Sequence, residues 1–213
     1  MMADTYDAGG RRELEFWRSI GEQEDPSAAV TGNATPEETE ATIAAVLAGI
    51  AEVVSERQPI DRRRVLELGC GQGRLLLPLA ERYPDHTFIG IDIAPKLLLR
   101  LPWTPNVHAF GSDGANLPQM LGSGAIDAAY SVAVFQHNPA EIVRGYIGQV
   151  GERLRLGGVF RFQFVEGNQA EFLGHHFDTA TVGEWCHEAG LEVESVEHWL
   201  VHDNWTWITA KKP

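Results

Sequence analysis

Residues 65–74 read Val-Leu-Glu-Leu-Gly-Cys-Gly-Gln-Gly-Arg, and no other segment of this 213-residue chain says as much about its structure. An apolar strand that contains Glu67 leads into a turn with glycine at every second position, and an apolar helix follows at residues 75–82. Because glycine has no Cβ, such a turn bends tightly and lets a ligand lie against bare backbone. The first N–H groups of the next helix are free and point toward the turn. The segment therefore predicts a ligand site where strand, turn and helix meet.

A second apolar strand, residues 88–91, follows and ends at Asp92. An acid about twenty positions after a glycine turn suits the two hydroxyls of a ribose. The glycines, however, are spaced G-x-G-x-G, whereas a dinucleotide site reads G-x-G-x-x-G and makes room for a pyrophosphate. Glu67 would repel a pyrophosphate, but its carboxylate can hold an ammonium group. These residues predict a cofactor with a nucleoside at one end and an amino acid at the other.

The residues Glu-Leu-Gly-Cys-Gly-Gln-Gly-Arg at 67–74 and Gly-Ile-Asp-Ile at 90–93 resemble the first two motifs of the class I S-adenosylmethionine-dependent methyltransferases. In that family the glycine turn approaches the methionine part of the cofactor, and the strand-end acid binds the ribose. The resemblance covers residues 64–213 and implies S-adenosylmethionine as the cofactor. It implies cofactor contacts for Glu67, Gly69, Cys70, Gly71, Gly73, Asp92 and Ile93, with Ile93 packed on the adenine face.

The same resemblance implies cofactor contacts after two further strands. Asp113 is expected to accept a hydrogen bond from the adenine amino group, and Gly114 is expected to donate one from its backbone. The alternative for Asp113 is an ordinary turn residue in Ser-Asp-Gly, where aspartate is common. After the fourth strand, Ser131 and Phe135 are expected to line the cofactor site beneath the sulfonium.

His137 follows the fourth strand and is the best candidate for a general base. Histidine titrates near neutral pH, which suits removal of a proton from a hydroxyl or an amine during methyl transfer. The alternative is that His137 caps a helix or contacts the cofactor without moving a proton. Transfer from a sulfonium needs little acid–base help, because much of the acceleration can come from holding the acceptor in line with the methyl group.

The acceptor site is expected to form from the N-terminal segment and from the region after the fifth strand. Trp17 lies on a short predicted helix at residues 13–20, and it can fold over the cofactor and exclude water, with simple packing as the alternative. His175 and His176 follow the fifth strand, and one of the two is expected to face the substrate. Adjacent histidines cannot easily point at one ion, so no metal site is expected.

Strands alternate with helices from residue 64 onward, which predicts an α/β fold with a mostly parallel sheet covered by helices on both faces. The last two strands are joined too closely to be parallel, so they form an antiparallel C-terminal hairpin. This is a Rossmann-like sheet of seven strands, expected at residues 64–68, 87–91, 107–110, 125–132, 159–164, 191–200 and 205–210. Residues 1–60 are expected to be an N-terminal helical lid and substrate segment, and residues 61–213 the methyltransferase domain.

Three local signals refine this outline. Thr35 is the expected N-cap of a long helix, with Glu38 completing a capping box, and Thr181 is the expected cap of the last helix. A turn is expected at residues 202–204, between the final two strands. The basic run at residues 62–64 is expected to be a solvated segment just before the first strand.

The composition restricts the possible partners. The formal net charge is −13, and an acidic surface repels phosphate backbones, so no nucleic-acid partner is expected. The two cysteines, Cys70 and Cys186, provide neither a disulfide framework nor a metal-binding spacing, which favours a reducing cytoplasm. No apolar stretch is long enough to cross a membrane, and no signal peptide is expected.

The expected activity is transfer of a methyl group from S-adenosylmethionine to a small organic acceptor, at oxygen or nitrogen. One alternative is an NAD(P)-dependent oxidoreductase, which would need a further glycine where Arg74 and Leu76 stand. The second alternative is a protein that binds the cofactor without catalysis. The sequence leaves the identity of the acceptor and the oligomeric state open.

Overall fold

The computed structural model describes residues 8–26, 34–55, 62–167, 174–199 and 204–213. Its strands are β1 (Arg64–Leu68), β2 (Thr87–Asp92), β3 (Val107–Gly111), β4 (Ile126–Ser131), β5 (Leu154–Val165), β6 (Glu192–His198) and β7 (Trp205–Lys211). The helices in these ranges are α1 (Ala8–Ile20), α2 (Pro36–Ser55), α3 (Leu76–Arg82), α4 (Pro95–Leu98), α5 (Ala140–Arg153) and α6 (Thr179–Glu188), and Phe135–His137 forms a 3₁₀ turn. Every strand expected from the sequence is present, with ends that differ by a few residues.

The strands form one seven-stranded sheet in the order β3-β2-β1-β4-β5-β7-β6. The neighbours from β3 to β5 pair in parallel, whereas β7 is antiparallel to both β5 and β6. This confirms the mostly parallel sheet with an antiparallel C-terminal hairpin. The chain runs outward from β1 to β3 and then places β4 on the other side of β1. In open sheets of this kind, ligands bind at the carboxyl ends of the strands where the order reverses, which here are β1 and β4.

Helices cover both faces of the sheet, as predicted. Successive residues of a strand point to opposite faces, so Val65 packs with α2 and α3, while Leu66 packs with α5 and α6. Both side chains are fully buried. Burial on both faces explains why the central strands read as nearly continuous apolar runs. Within the described ranges, no helix is both long enough and apolar enough to span a bilayer.

The two predicted helix caps have different outcomes. The capping box of α2 is confirmed: the Glu38 N–H donates to Thr35 Oγ1 at 3.2 Å, and the Thr35 N–H donates to Glu38 Oε2 at 2.7 Å. The prediction that Thr181 caps the last helix is wrong. Asp178 is the N-cap of α6, and its carboxylate accepts hydrogen bonds from the N–H and the hydroxyl of Thr181 at 2.9 and 2.6 Å. A carboxylate is the stronger acceptor, so the helix begins earlier than predicted.

Other element ends also differ from the prediction. α1 begins at Ala8, before the predicted start of that helix. β5 begins at Leu154, because Leu154 pairs with Ile126 ahead of a register shift, and residues 155–158 bulge out before Val159 pairs with Ala128. Of the predicted turn at 202–204, residues 202 and 203 lie outside the described residues.

The basic run before β1 is only partly solvated. Arg63 is 3% exposed, and its Nη1 lies 3.3 Å from Asp127 Oδ1. The backbone N–H of Arg64 donates to Asp127 Oδ2 at 2.7 Å, and Arg155 pairs with the same carboxylate. The prediction of a solvated segment is therefore wrong for Arg63, which ties the start of β1 to β4.

The N-terminal helices have different positions in the fold. α2 packs on the sheet through residues that include Ile43, Val46 and Ile50, which are 0–1% exposed. α1 instead reaches the carboxyl ends of the strands. A domain boundary between residues 60 and 61 stays a prediction.

Candidate functional site

A cavity lies at the carboxyl ends of β1 and β4, where the sheet order reverses. It is lined by the glycine turn after β1, the end of β2, residues 132–134, 137 and 138 after β4, and α1 through Leu14 and Trp17, together with Leu97, Ser112 and Tyr146. These segments are far apart in sequence and meet only through the order of the strands. The cavity is therefore the candidate site for the cofactor and the acceptor.

The glycine turn has a backbone that other residues rarely adopt. Gly69, Gly71 and Gly73 all have positive φ, at 77°, 53° and 82°. A Cβ at Gly69 would lie 2.2 Å from Cγ2 of Val134, which lines the cavity. The Gly73 N–H donates to the Cys70 carbonyl at 2.8 Å and closes the turn, and Gly73 does not line the cavity. The turn thus leaves bare backbone beside the cavity at Gly69 and Gly71.

Asp92 joins the two sequence motifs. Its Oδ2 accepts a hydrogen bond from the Gly71 N–H at 2.8 Å, and its Oδ1 accepts one from the Ala94 N–H at 2.8 Å. Burial raises the pKa of Asp92, and these hydrogen bonds partly offset that effect. A carboxylate has about four acceptor positions, so each oxygen retains capacity for a ligand hydroxyl. Ile93, the next residue, also lines the cavity.

Glu67 is buried beside the same cavity, with 4% of its surface exposed. The Tyr130 hydroxyl donates to Glu67 Oε2 at 2.9 Å. Burial raises the pKa of Glu67 to about 8, although the Tyr130 hydrogen bond and the charge of Arg74 oppose the rise. Without a bound ligand cation the Glu67 side chain is therefore mostly protonated at neutral pH. A bound ammonium group would favour the carboxylate.

Cys70 lines the cavity with its side chain turned into the protein core. It is 4% exposed, and a Cβ at Gly90 would lie 2.7 Å from its Sγ. Burial raises the pKa of Cys70 well above its ordinary value. A thiol in this state is a poor nucleophile, which fits a packing role beneath the turn.

His137 lines the cavity from the β4 side and contacts α1. Its ring centroid lies 4.6 Å from that of Trp17, edge to face. Its Nδ1 lies 3.7 Å from Oε1 of Glu13, and its Nε2 lies 3.1 Å from Nε2 of Gln136. Trp17 and His137 therefore meet at the cavity, and the lid role of Trp17 stays a prediction.

Ser131 and Phe135 do not line the cavity, and a cofactor contact for these two residues stays a prediction. The Ser131 hydroxyl donates to the Leu68 carbonyl at 3.1 Å, which links the ends of β4 and β1. Phe135 is fully buried, and its ring centroid lies 5.3 Å from that of Phe162. Both side chains point into the core because they lie on the buried faces of β4 and the 3₁₀ turn. The walls of the cavity come from the residues between them, Val132, Ala133 and Val134.

Asp113 makes the hydrogen bonds of a turn residue, which was the alternative to its role as an adenine contact. One carboxylate oxygen accepts from the N–H groups of Ala115 and Asn116 at 2.9 and 2.7 Å, and the other accepts from Asn116 Nδ2 at 2.8 Å. The Gly114 N–H is bonded to Ser112 Oγ at 3.1 Å. Ser112 lines the cavity, whereas Asp113 and Gly114 do not. An adenine contact for these two residues stays a prediction.

His175 and His176 lie outside the cavity wall. His175 Nε2 lies 3.5 Å from Oε2 of Glu13, so Glu13 stands between His175 and His137. The His175 N–H donates to the Gln136 carbonyl at 2.7 Å, which holds this loop against the 3₁₀ turn. Over the part of the chain that the structure describes, no three His, Cys, Asp or Glu side chains are grouped as a metal site.

Arg74, Tyr130 and Glu13 are among the residues at the site that were not expected from the sequence. Arg74 lines the cavity one position after the last glycine, but spacing alone does not say where a side chain points. Tyr130 pairs with Glu67 across β4 and β1, which requires the strand order. Glu13 precedes β1 by many residues, and no local pattern connects it to His137.

Comparisons with known proteins agree with the fold. Residues 65–158 match the family model described as a methyltransferase domain. The trans-aconitate 2-methyltransferase of Deinococcus radiodurans is 33% identical over 129 residues, which are 60% of this chain and 46% of that protein. The tRNA (guanine-N(7)-)-methyltransferase of Brevibacillus brevis is 31% identical over 71 residues, 30% of this chain and 33% of that protein. The chain spans less than half the length of these two relatives.

A solved structure with the same fold is magnesium protoporphyrin IX methyltransferase from Synechocystis PCC 6803, with bound S-adenosylhomocysteine. It has a TM-score of 0.72 and 15% identity, over 96% of this chain and 100% of that chain. At this identity the likeness shows the fold alone. Residues 65–158 therefore match a methyltransferase domain, and the chain has the same fold as the Synechocystis protein.

Proposed function

We propose that this chain transfers a methyl group from S-adenosylmethionine to a small organic acceptor, at an oxygen or a nitrogen atom. The observation that supports this most is the pair of acids at the glycine turn. Glu67 lines the cavity just before the turn, and Asp92 accepts a hydrogen bond from the Gly71 N–H within it. One acid suits an ammonium group and the other suits a ribose, so the site fits a cofactor with both.

The residues present fit S-adenosylmethionine along its length. Asp92 binds the ribose hydroxyls, Glu67 binds the ammonium group, and the backbone at Gly69 and Gly71 lies against the chain between them. Ile93 provides an apolar surface for the adenine ring. When bound, the cofactor supplies an electrophilic methyl group on a sulfonium.

The acceptor binds between α1 and the segment after β4, where Trp17 and His137 meet. Trp17 excludes water from the reacting atoms, since its ring packs on the His137 imidazole. His137 either removes a proton from the acceptor or positions it. To act as a base it must free a ring nitrogen, because Gln136 faces Nε2 and Glu13 faces Nδ1. His175 lies on the side of Glu13 opposite His137, and it approaches the acceptor from there.

The acidic net charge of −13 supports a small acceptor and opposes a nucleic-acid partner. Both cysteines are free and buried, which supports a location in a reducing cytoplasm. An NAD(P)-dependent oxidoreductase is disfavoured, because the G-x-G-x-G spacing lacks the third glycine that makes room for the pyrophosphate of that cofactor. A protein that binds the cofactor without catalysis would share the cofactor contacts and differ only in lacking turnover.

Calorimetric titration with S-adenosylhomocysteine and with NADH tests this proposal. We expect binding of S-adenosylhomocysteine only. Asp92→Asn should weaken that binding by about 1–3 kcal/mol, the cost of disturbing a buried hydrogen-bonded acid. Asp85→Asn, at an exposed position, is the charge-matched control and should bind normally. Tight NADH binding, or no binding of S-adenosylhomocysteine, would contradict the proposal.

A further inference from the structure

Glu13 on α1 lies between two histidines that come from different parts of the chain. Its Oε1 lies 3.7 Å from Nδ1 of His137, and its Oε2 lies 3.5 Å from Nε2 of His175. His137 lines the cavity, whereas His175 does not line it and is partly exposed to solvent. The three side chains therefore form a row that leads from the cavity to the surface, and each carboxylate oxygen faces one imidazole ring.

The helix that carries Glu13 offers it no competing cation one turn away. The residues at that spacing on either side are Gly9, Gly10, Phe16 and Trp17, and none of them carries a positive charge. Among the residues that the structure describes, the ion pairs of Glu13 are with the two histidines. The carboxylate is therefore directed away from its own helix, toward the segment after β4 and the loop before α6.

The contacts of the two rings assign a tautomer to each histidine. A neutral imidazole has one N–H donor and one acceptor nitrogen, an amide nitrogen only donates, and an ionised carboxylate only accepts. The amide nitrogen of Gln136 lies 3.1 Å from His137 Nε2, so that ring nitrogen is the acceptor. The ring proton of His137 is then on Nδ1, which faces Glu13. By the same reasoning His175 carries its proton on Nε2, the nitrogen that faces the other carboxylate oxygen.

We propose that Glu13 is a positioning residue that holds His137 with its proton on Nδ1, which leaves Nε2 as the nitrogen that removes the acceptor proton. This inference rests on the proposed function, since it concerns the same methyl transfer. Both separations from Glu13 are longer than a hydrogen bond, which is about 2.7–3.2 Å between nitrogen and oxygen. Catalytic hydrogen bonds are often long in a protein without its ligands and tighten in the complex, so both contacts are expected to shorten there.

The role of Glu13 follows from the proton balance of the reaction. An O–H or N–H group of the acceptor replaces the Gln136 amide as the donor to His137 Nε2. As the lone pair of the acceptor atom bonds to the methyl carbon, the carbon–sulfur bond breaks with its electron pair left on sulfur, and the acceptor proton moves to Nε2. The resulting imidazolium donates from Nδ1 to the Glu13 carboxylate, which stabilises the new charge. Because α1 carries both Glu13 and Trp17, the helix that excludes water also orients the base.

NMR of protein with isotope-labelled histidine tests the assignment without an acceptor, because protonated and unprotonated ring nitrogens have well-separated chemical shifts. Spectra are recorded at about pH 8.5, where an ordinary histidine is neutral, with and without saturating S-adenosylhomocysteine. Spectra of His137→Asn and His175→Asn identify the two sets of signals by their loss. We expect the proton on Nδ1 of His137 and on Nε2 of His175 in both states.

Two substitutions on α1 make the result specific. Glu13→Gln keeps one oxygen that accepts, but its amide nitrogen donates, so at most one histidine can keep an N–H directed at this position. At least one of the two rings should therefore move its proton to the opposite nitrogen. Glu15→Gln, at an exposed position of the same helix, is the charge-matched control and should leave both rings unchanged. Melting curves of both variants establish that they are folded.

The outcomes separate this inference from the proposed function. A proton on Nε2 of His137 in the unaltered protein would overturn the inference, and this reading decides even where Glu13→Gln does not fold. Tautomers that Glu13→Gln leaves unchanged would also overturn it. Either result, in a protein that binds S-adenosylhomocysteine, leaves the proposed function standing. If the unaltered protein does not bind S-adenosylhomocysteine, the proposed function fails, and the proton transfer assigned to His137 fails with it.

Discussion

Glu67 shows at the scale of one residue how a binding site costs stability. A carboxyl whose pKa is raised to about 8 keeps a proton that the unfolded chain releases near its ordinary pKa of 4.5. The folded state therefore binds more protons than the unfolded state between these values. The free energy of unfolding consequently falls as the pH rises through this window. A cation that pairs with Glu67 relieves this cost, which couples cofactor binding to the release of a proton.

The affinity for S-adenosylhomocysteine is expected to rise with pH from 6 to 7.5, by up to about tenfold per pH unit, because binding requires the Glu67 carboxylate. The α-ammonium group of the ligand stays largely protonated over this range. Calorimetry in two buffers of different ionisation enthalpy should show release of nearly one proton. Glu67→Gln should make both effects small, whereas Glu81→Gln, an exposed control on α3, should keep them. A flat pH profile for the unaltered protein would refute the coupling.

Kinetics can distinguish a proton-transfer role of His137 from a positioning role. If proton removal limits the rate, His137→Ala should lower kcat by about 10²-fold or more, while the affinity for S-adenosylhomocysteine is retained. His187→Ala, an exposed histidine on α6, is the matched control. A decrease of less than about threefold would leave only a positioning role. The measurement is steady-state turnover across pH, once an acceptor has been found.

At the scale of elements, Arg161 on β5 holds α2 and the C-terminal hairpin together. Its side chain is 1% exposed, and it donates to the Ala45 carbonyl at 3.2 Å, to both carboxylate oxygens of Glu197 at 2.9 Å and to Thr209 at 2.7 Å. Its guanidinium also lies 4.8 Å from the ring centroid of Trp207. This close approach explains a glycine inside α2. A Cβ at Gly49 would lie 2.5 Å from Cδ of Arg161.

Two glycine-to-alanine substitutions should therefore have opposite effects on stability. In a helix interior, alanine is favoured over glycine by about 0.5–1 kcal/mol, and Gly148→Ala on α5 should gain that amount, because no atom lies within 4 Å of its added Cβ. Gly49→Ala should instead lower the free energy of unfolding by about 1–3 kcal/mol, because it overpacks the Arg161 contact. Chemical denaturation measures both. A gain in stability for Gly49→Ala would show that α2 shifts freely on the sheet.

At the scale of the whole molecule, the negative net charge bears on whether the protein binds nucleic acid. The chain has 30 acidic and 17 basic residues, and its sequence pI is about 5.0. In the basic run before β1, Arg63 pairs with Asp127, whose carboxylate also pairs with Arg155. The match to a tRNA methyltransferase covers only 30% of this chain. A surface of this charge does not attract a phosphate backbone.

We expect no retention of tRNA by this protein in a gel-shift assay at about 0.15 M salt, where non-specific protein–nucleic-acid affinities are already weak. The same preparation should bind S-adenosylhomocysteine by calorimetry, which establishes that it is folded and competent. Lowering the salt tests whether any residual association is purely electrostatic. Micromolar tRNA binding at physiological salt would make a nucleic-acid acceptor the better hypothesis.

Local patterns predicted the regular elements well, because a strand, a glycine turn and a capped helix are each encoded by neighbouring residues. The capping box at Thr35 and Glu38 formed as expected. The prediction of the α6 cap was wrong because Asp178 and Thr181 both have side chains that can cap a helix. Only the path of the backbone selects one of them. Ser131 and Phe135 are buried and do not line the cavity, which the sequence could not indicate because a position after a strand does not determine which way a side chain points.

The amino-acid sequence by itself determined the α/β class, the antiparallel last pair of strands, and the acid–glycine–acid motif at Glu67 and Asp92. Each of these depends on residues within a few positions of one another or on the alternation of elements along the chain. Only the tertiary structure decided that Tyr130 donates to Glu67, that Arg74 shares its cavity, and that α1 brings Glu13 to His137. The physical reason is that these contacts join residues from different strands and helices, and their proximity follows from the strand order and the packing of α1, which no local sequence pattern encodes.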